Sequence, residues 1–294
     1  MTDFYSFNRK HEKRSEMEPS LEPFVGSSNP ESHQGSGIHF LLILMLSLAA
    51  AGCKDSCDEV LCFNGGVCAD GDCICAEGWA GPDCSTLVCE PVEFNGYTYE
   101  VVAIGTQCWF AENLRSEKYR NGDWIPGSLS DLTWISTSMG ARTVFGEGSS
   151  HVSSGSGDEV ANLANYGRLY NWYSVEDGRG LCPTGWHVPT DGEWTTLTDF
   201  LGGLVGAGYV MKSSVSDSPS WDGSNASGFS GLPGGQRDGN YGYFSYEGSF
   251  GFWWSSSPDG SDGAIQRWVR SDWVIVAPSV ANPRAGLSVR CVRD

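Results

Sequence analysis

The sequence predicts an α+β protein with few helices, many short strands and long loops, preceded by a small disulfide-rich module. Three observations predict it. Glycine makes up 39 of 294 residues, nearly twice the average frequency of about 7%, as in a chain that turns often. Aromatic residues are 12% of the chain, with 12 tryptophans, so large side chains are available for a core and disorder is excluded. Six of the 11 cysteines fall between Cys57 and Cys84, in a stretch with almost no aliphatic residues. A unit that small cannot bury enough apolar surface to offset its chain entropy, so covalent cross-links must replace a core.

Residues 1–39 are polar and show no apolar periodicity; a continuous apolar run then extends from Phe40 to Gly52. The run is too short for a membrane-spanning helix, which takes about 20 residues, and it suits the apolar region of a secretory signal. Residues 1–52 are therefore read as a signal region and set apart from the fold. The stretch Leu48-Ala-Ala-Ala-Gly-Cys53 resembles the lipobox of bacterial lipoproteins, which implies that Cys53 is acylated and becomes the mature amino terminus. Such a role accounts for the odd number of cysteines. The charged segment Lys54-Asp55-Ser56-Cys57-Asp58-Glu59 looks like the surface-export tether of Bacteroidetes lipoproteins. The resemblance implies an outer-membrane lipoprotein in the cell envelope, exposed at the surface, with the membrane as partner through its lipid.

Residues 53–85 hold the anchor and the cysteine-rich module. Six cysteines leave 15 pairings open. The pattern Cys62-Phe-Asn-Gly-Gly-Val-Cys68, then Cys73-Ile-Cys75-Ala-Glu-Gly-Trp-Ala-Gly-Pro-Asp-Cys84, includes the turn glycines Gly65, Gly66, Gly78 and Gly81 and the aromatic Trp79. It resembles the epidermal growth factor-like module, which implies the pairs Cys57 with Cys68, Cys62 with Cys73, and Cys75 with Cys84. A zinc knuckle is disfavoured because the segment has no histidine. Lys54-Asp55-Ser56 lacks the acidic pattern with which some such modules take calcium, and the expected role is that of a rigid spacer.

From residue 87 to Asp294 the length suits one domain. Asn95-Gly96, flanked by alternating residues from Glu93 to Ile104, is a hairpin signal. Residues 146–158 are rich in glycine and serine and read as a surface excursion. Thr190 and Glu193 form a capping box at the start of a helix whose apolar stripe is Trp194, Leu197, Phe200 and Leu201, and Gly202-Gly203 ends it. Beyond it, short strand-like pieces such as Trp268 to Val276 alternate with turns.

Five motifs then occur in order: Tyr166-Gly-Arg-Leu-Tyr-Asn-Trp-Tyr173, Leu181-Cys-Pro-Thr-Gly-Trp-His-Val-Pro-Thr190, Ser227-Gly-Phe-Ser-Gly-Leu-Pro-Gly-Gly235, Trp253-Trp-Ser-Ser256 and Val289-Arg-Cys-Val-Arg293. With Ile104-Gly-Thr-Gln-Cys-Trp-Phe-Ala-Glu-Asn-Leu114 they make residues 87–294 resemble the Fibrobacter succinogenes major paralogous domain. That family implies secreted proteins or lipoproteins without an established activity. The helix after Pro189 and the final strand look, more distantly, like the C-type lectin-like fold as it occurs in formylglycine-generating enzymes, and the fold alone is carried over. The reactive cysteine pair of those enzymes has no counterpart in the spacing of Cys89, Cys108, Cys182 and Cys291. The calcium-binding tripeptide and Trp-Asn-Asp triad of calcium-dependent lectins are missing as well.

No catalytic residue and no metal site is assigned. Cys182 and Cys291 flank the helix entry and the last strand and are expected to meet as a staple over a long loop, which leaves Cys89 with Cys108. His187, inside its motif, is expected to be a packed, hydrogen-bonded residue, and His151 to be solvated. Asp259, Asp262 and Asp222 read as turns, with calcium as the one cofactor they could take. The candidate ligand-binding residues are Trp221, Trp253, Trp254, Trp268 and Trp273, set among glycine, serine and aspartate turns, because exposed aromatic rings stack on sugar rings and other apolar faces. Tyr241, Tyr243 and Tyr246 form a further cluster. Adjacent Trp253 and Trp254 point to opposite faces of a strand, so one of them is expected in the core. A net charge of -18 excludes a nucleic-acid partner, which needs a basic face. The expected function is noncatalytic adhesion to, or recognition of, an extracellular glycan or protein. An enzyme acting on an extracellular polymer and a structural envelope component are the alternatives.

Overall fold

The computed structural model describes residues 57–260 and 262–294; the expected signal region, residues 1–52, and the expected acylation site, Cys53, lie outside the described residues. The first part is built on cross-links. Strands β1 (Val67–Ala69) and β2 (Asp72–Ile74) form a hairpin that sets Cys68 opposite Cys73, and β3 (Trp79–Ala80) pairs with β4 (Thr86–Leu87). Disulfides join Cys57 to Cys68, Cys62 to Cys73 and Cys75 to Cys84. Among its described residues Cys84 is the one fully buried hydrophobic residue, while Leu61, Phe63, Val67 and Ile74 face solvent. Cross-links stand where a core would be.

The large domain begins with the hairpin of β5 (Val92–Phe94) and β6 (Tyr97–Tyr99). Its loop residues Asn95 and Gly96 both have positive φ, 51° and 79°, the backbone of a type I′ turn, which asparagine and glycine tolerate best. β7 (Val101–Ile104), β8 (Gln107–Phe110), α1 (Asp131–Ser136), β9 (Arg142–Thr143), α2 (Glu159–Tyr166), β10 (Leu169–Tyr170), α3 (Trp172–Val175) and β11 (Trp186–His187) follow. The second half holds α4 (Asp191–Phe200), α5 (Ala207–Met211), β12 (Gly234–Arg237), β13 (Phe244–Glu247), β14 (Phe250–Asp259), β15 (Gly263–Arg270), β16 (Ala277–Ala281) and β17 (Val292–Arg293). A four-stranded sheet has the order β11-β17-β8-β7 and a three-stranded one β14-β15-β16, all antiparallel. The last strand therefore lies between strands from the first half, and the domain closes on itself. Disulfides Cys182–Cys291 and Cys89–Cys108 brace that closure.

Among the described residues the core has two large aromatic clusters and a small third one around Phe145 and Phe244. The first large cluster holds Phe110, Tyr170, Trp172, Trp186, Phe252 and Trp254; the second holds Trp109, Trp194, Leu197, Trp221, Phe229 and Trp253. Both main sheets contribute to both clusters, because successive strand side chains point to opposite faces. Trp109 and Phe110 part company in this way, and so do Trp253 and Trp254. The expectation that one of Trp253 and Trp254 stays outside the core is thereby corrected: each face of β14 is covered. Each indole N–H is satisfied, Trp253 Nε1 by Asn113 Oδ1 at 2.9 Å and Trp254 Nε1 by the Tyr170 carbonyl at 2.7 Å.

Helix α4 carries the capping box of Thr190 and Glu193, and Gly202 and Gly203, both at positive φ, follow its end. Trp194 and Leu197 are buried as expected, but Phe200 is exposed and lies over Gly105; Thr198 takes the buried place. The piece from Trp268 to Val276 is also shorter than expected, its strand ending at Arg270 in a turn.

The recurrent motifs wire the core. Arg290 is fully buried and stacks on Phe229 at 4.4 Å. It donates to Asn113 Oδ1 and to the carbonyls of Phe110, Phe229 and Ser230, and burial pushes the guanidinium down to about 9. The five disulfides among the described residues belong to an oxidising, extracytoplasmic compartment. Among the described residues no helix is long and apolar enough to cross a membrane.

Candidate functional site

The five candidate tryptophans divide. Trp253 and Trp254 are 1% and 0% exposed, and Trp221 is buried at 6%; as ligand-contacting residues all three are corrected, since each fills one of the two large core clusters. Trp268 and Trp273 come together at the surface with ring centres 5.9 Å apart.

These two belong to a continuous aromatic strip. Even-numbered residues of β14 face the first cluster, and towards the open end of the strand Phe250 is only half-buried. Tyr246 lies 5.0 Å from Phe250, and Trp268 lies 6.0 Å from it. On β16 the residue opposite Trp268 is Ala277, too small to cover the indole. Arg270 joins the strip, its guanidinium carbon 4.3 Å from the Trp273 ring centre and 6.0 Å from that of Phe250. Among the described residues it has no carboxylate partner.

The turn from Arg270 to Trp273 is held from below. Trp273 N–H donates to the Arg270 carbonyl, and Asp272 sits at φ 63°. Buried Lys212 donates from Nζ to the carbonyls of Arg270 and Trp273, at 3.2 and 3.0 Å, and pairs with Asp222 Oδ1 at 2.7 Å. Asp222 Oδ2 accepts the Asp272 N–H. Burial opposes ionisation of Asp222, but the Lys212 ammonium and the Asp272 amide outweigh it and hold the carboxyl below its usual range. Trp221 contributes from inside: its Nε1 donates to Ser271 Oγ at 2.9 Å. The strip thus offers ring faces for stacking and a guanidinium for oxygen acceptors, on a fixed turn.

The other candidates lie elsewhere. His187 has Nδ1 at 2.6 Å from Asp294 Oδ1 and Nε2 at 2.8 Å from Glu193 Oε1. Burial alone would push the imidazole down; the two carboxylates overcome it and raise the pKa. With both nitrogens engaged, His187 ties β11 to the chain end and to the start of α4. Glu193, six residues on, becomes its partner because the helix start folds back towards β11. His151 is exposed and lies 4.6 Å from the Tyr243 ring, which in turn neighbours Tyr241 at 6.0 Å. Tyr246 parts from that cluster and joins the strip. Asp222 is occupied by Lys212, and among the described residues no group of three or more His, Cys, Asp and Glu side chains could hold a metal ion.

One arrangement escaped the sequence reading. Trp124 is 61% exposed and forms, with Tyr97, the walls of a cleft beside the β5–β6 hairpin. The available signal is the large domain's second asparagine-glycine pair, Asn121-Gly122, whose turn brings Lys118 and Trp124 together as bridge partners.

No curated protein and no solved structure matches the chain. The family model described as the Fibrobacter succinogenes major domain matches residues 102–293, a span that contains the second aromatic cluster and most of the first, the Arg290 network and the Trp268–Trp273 strip. The chain therefore belongs to the Fibrobacter succinogenes major domain family.

Proposed function

We propose that the protein is a noncatalytic surface lipoprotein that recognises an extracellular glycan. In this reading Cys53 carries the lipid, the cysteine-rich segment is an epidermal growth factor-like spacer, and the large domain is a C-type lectin-like platform. The carrying observation is the strip of Tyr246, Phe250, Trp268 and Trp273 with Arg270 stacked on its end. Tyr246 and Trp273 are exposed while Phe250 and Trp268 are partly covered, an aromatic surface that is costly to leave in water unless something covers it, and the polar cross-links below Trp273 hold its turn in place before a ligand arrives. Pre-organisation of this kind lowers the ordering cost of binding. The roles of His187 in bridging two carboxylates and of the cysteines in disulfides support a structural rather than catalytic use of these groups.

The test is a glycan array with the purified chain, combined with a search for product by mass spectrometry. Saturable binding without product is expected, and Trp273→Ala is expected to weaken it roughly tenfold without moving the melting temperature. Turnover that persists through purification would overturn the noncatalytic reading. The anchor has a separate test: Cys53→Ser should release the protein from the membrane fraction and abolish acyl labelling, and retention of both would refute acylation there.

A further inference from the structure

We propose a second ligand site, independent of the Trp273 strip: the cleft between Tyr97 and Trp124 takes a single acidic sugar residue of the hexuronate type. The cleft measures about 260 Å³, just below the range of roughly 300–1,000 Å³ typical of small-molecule sites, and so admits one ring rather than an extended molecule. Its floor is apolar, made by buried Phe94 and Tyr99. Its walls are the exposed rings of Tyr97 and Trp124, positioned by two asparagine-glycine turns.

The charges in the cleft are not equivalent. Arg115 stacks on Tyr97 at 4.8 Å, but its charge is met by Glu112 at 3.1 Å and its Nη1 is spent on the carbonyls of Leu163 and Ala164. Glu117 is compensated by Arg142 and Arg168, both on Oε1. Lys118 differs: its Nζ lies 4.5 Å from the Trp124 ring centre, and among the described residues it has no carboxylate partner. An uncompensated ammonium over an exposed indole is a site for an anion that also stacks. In a chain of net charge -18, such a point is where a carboxylate is attracted rather than repelled.

Two further atoms favour a sugar over a peptide carboxyl end or an aromatic acid. Glu117 Oε2 and Asn95 Oδ1 carry no hydrogen bond among the described residues, while Glu117 Oε1 and Asn95 Nδ2 are engaged, the latter with Ser116 Oγ at 2.6 Å and the Lys118 carbonyl. The cleft therefore presents acceptors for hydroxyl donors beside one cation for a carboxylate and ring faces for C–H surfaces. A hexuronate offers all three; a peptide carboxyl end offers no hydroxyls in that arrangement.

Isothermal titration of the full chain with trigalacturonate, with the corresponding neutral galactose trimer and with a short apolar peptide bearing a free carboxyl end tests the site. Trigalacturonate is expected to bind best. Trp124→Ala should abolish that binding, and its exposed position leaves the fold intact, which a thermal melt verifies. Lys118→Gln should lower trigalacturonate affinity about tenfold while leaving the neutral trimer unchanged, and Trp273→Ala should change neither. The proposal is overturned if none of the three probes binds, if the peptide binds better than the sugars, if acid and neutral trimers bind alike, or if Trp273→Ala removes trigalacturonate binding that Trp124→Ala leaves intact. The last outcome would support the strip and sink the cleft; loss at Trp124 with no effect at Trp273 supports the cleft whatever becomes of the strip.

Discussion

Residues 57–88 and the large domain solve the same problem by different physics. The first part leaves Leu61, Phe63, Val67 and Ile74 exposed and relies on three disulfides, each closing a loop of 9 to 11 residues. The second buries tryptophans on both faces of its sheets and uses two disulfides as braces. The difference teaches where each part is vulnerable: the first to reduction, the second to loss of packed volume or of a buried polar partner.

Removing one cross-link from each part should break the comparison open most widely. In the chain-entropy account a loop of about 100 residues contributes roughly 4.7 kcal/mol and one of about 15 roughly 3 kcal/mol. Cys182→Ala with Cys291→Ala, across a separation of 109 residues, should cost the large domain about 4–5 kcal/mol yet leave its aromatic clusters assembled. Cys62→Ala with Cys73→Ala removes less free energy but should unfold its segment outright, since no core remains to hold it. Hydrogen exchange reads both: loss of protection confined to residues 57–88 in the second variant is expected, and full protection there would refute the contrast.

That contrast was legible in the sequence, and the reason is chemical. Cysteine density and glycine turns are local signals, so a cross-linked segment without a core was legible from them, while the pairing of its cysteines came only from the resemblance. The capping box at Thr190 and the Asn95-Gly96 hairpin were legible for the same reason. What escaped depends on contacts between distant residues. Whether Trp253 and Trp254 are both buried is decided by β14 having a cluster on each side, and whether Phe200 is covered depends on what lies beside a helix end, here the side-chain-free Gly105. The surface site suffered most. Lys212, Trp221 and Asp222 hold the Trp273 turn from up to 61 residues away, and no spacing rule links them. Trp124 looked like any other aromatic because its exposure is set by its bridge to Lys118.

A middle-sized effect belongs to a place where the large domain holds a turn by polar links instead of packed volume. Lys212→Met leaves Asp222 without its cation. Breaking one side of a buried pair costs about 3–5 kcal/mol. Asp222 is partly exposed, so the lower end, about 3 kcal/mol, is expected. The same variant should free the turn and weaken ligand binding at Trp273 along with stability. Trp273→Ala, by contrast, should affect binding alone. A denaturant midpoint unchanged by Lys212→Met would show that the pair does not hold the turn.

The smallest effect lies at the seam between the two parts. Arg293 of β17 donates to the Val88 carbonyl at 2.8 Å, and two residues beyond Val292 the chain ends at Asp294 on His187. His187 has its pKa raised in the folded state, so its bonds to Glu193 and Asp294 stabilise the fold fully below the unfolded imidazole value of about 6.5 and cease to do so as pH rises through the folded value. Glu193 has its pKa lowered: burial opposes this, but the Thr190 amide and His187 prevail. Its contribution is present above the unfolded carboxyl value of about 4.3 and is lost as pH falls through the folded one. The two dependences leave a window between those unfolded values in which the cluster is at full strength. Thermal melts of the native chain and of His187→Gln should therefore differ most at about pH 5–6 and converge at alkaline pH, above the raised folded imidazole value, with the amides around Gly78 and Val88 losing protection in step. Because both side chains are about one-third exposed, the difference should be smaller than that for Lys212. An equal gap between the two proteins at both pH values would mean that His187 contributes through packing rather than through its charge.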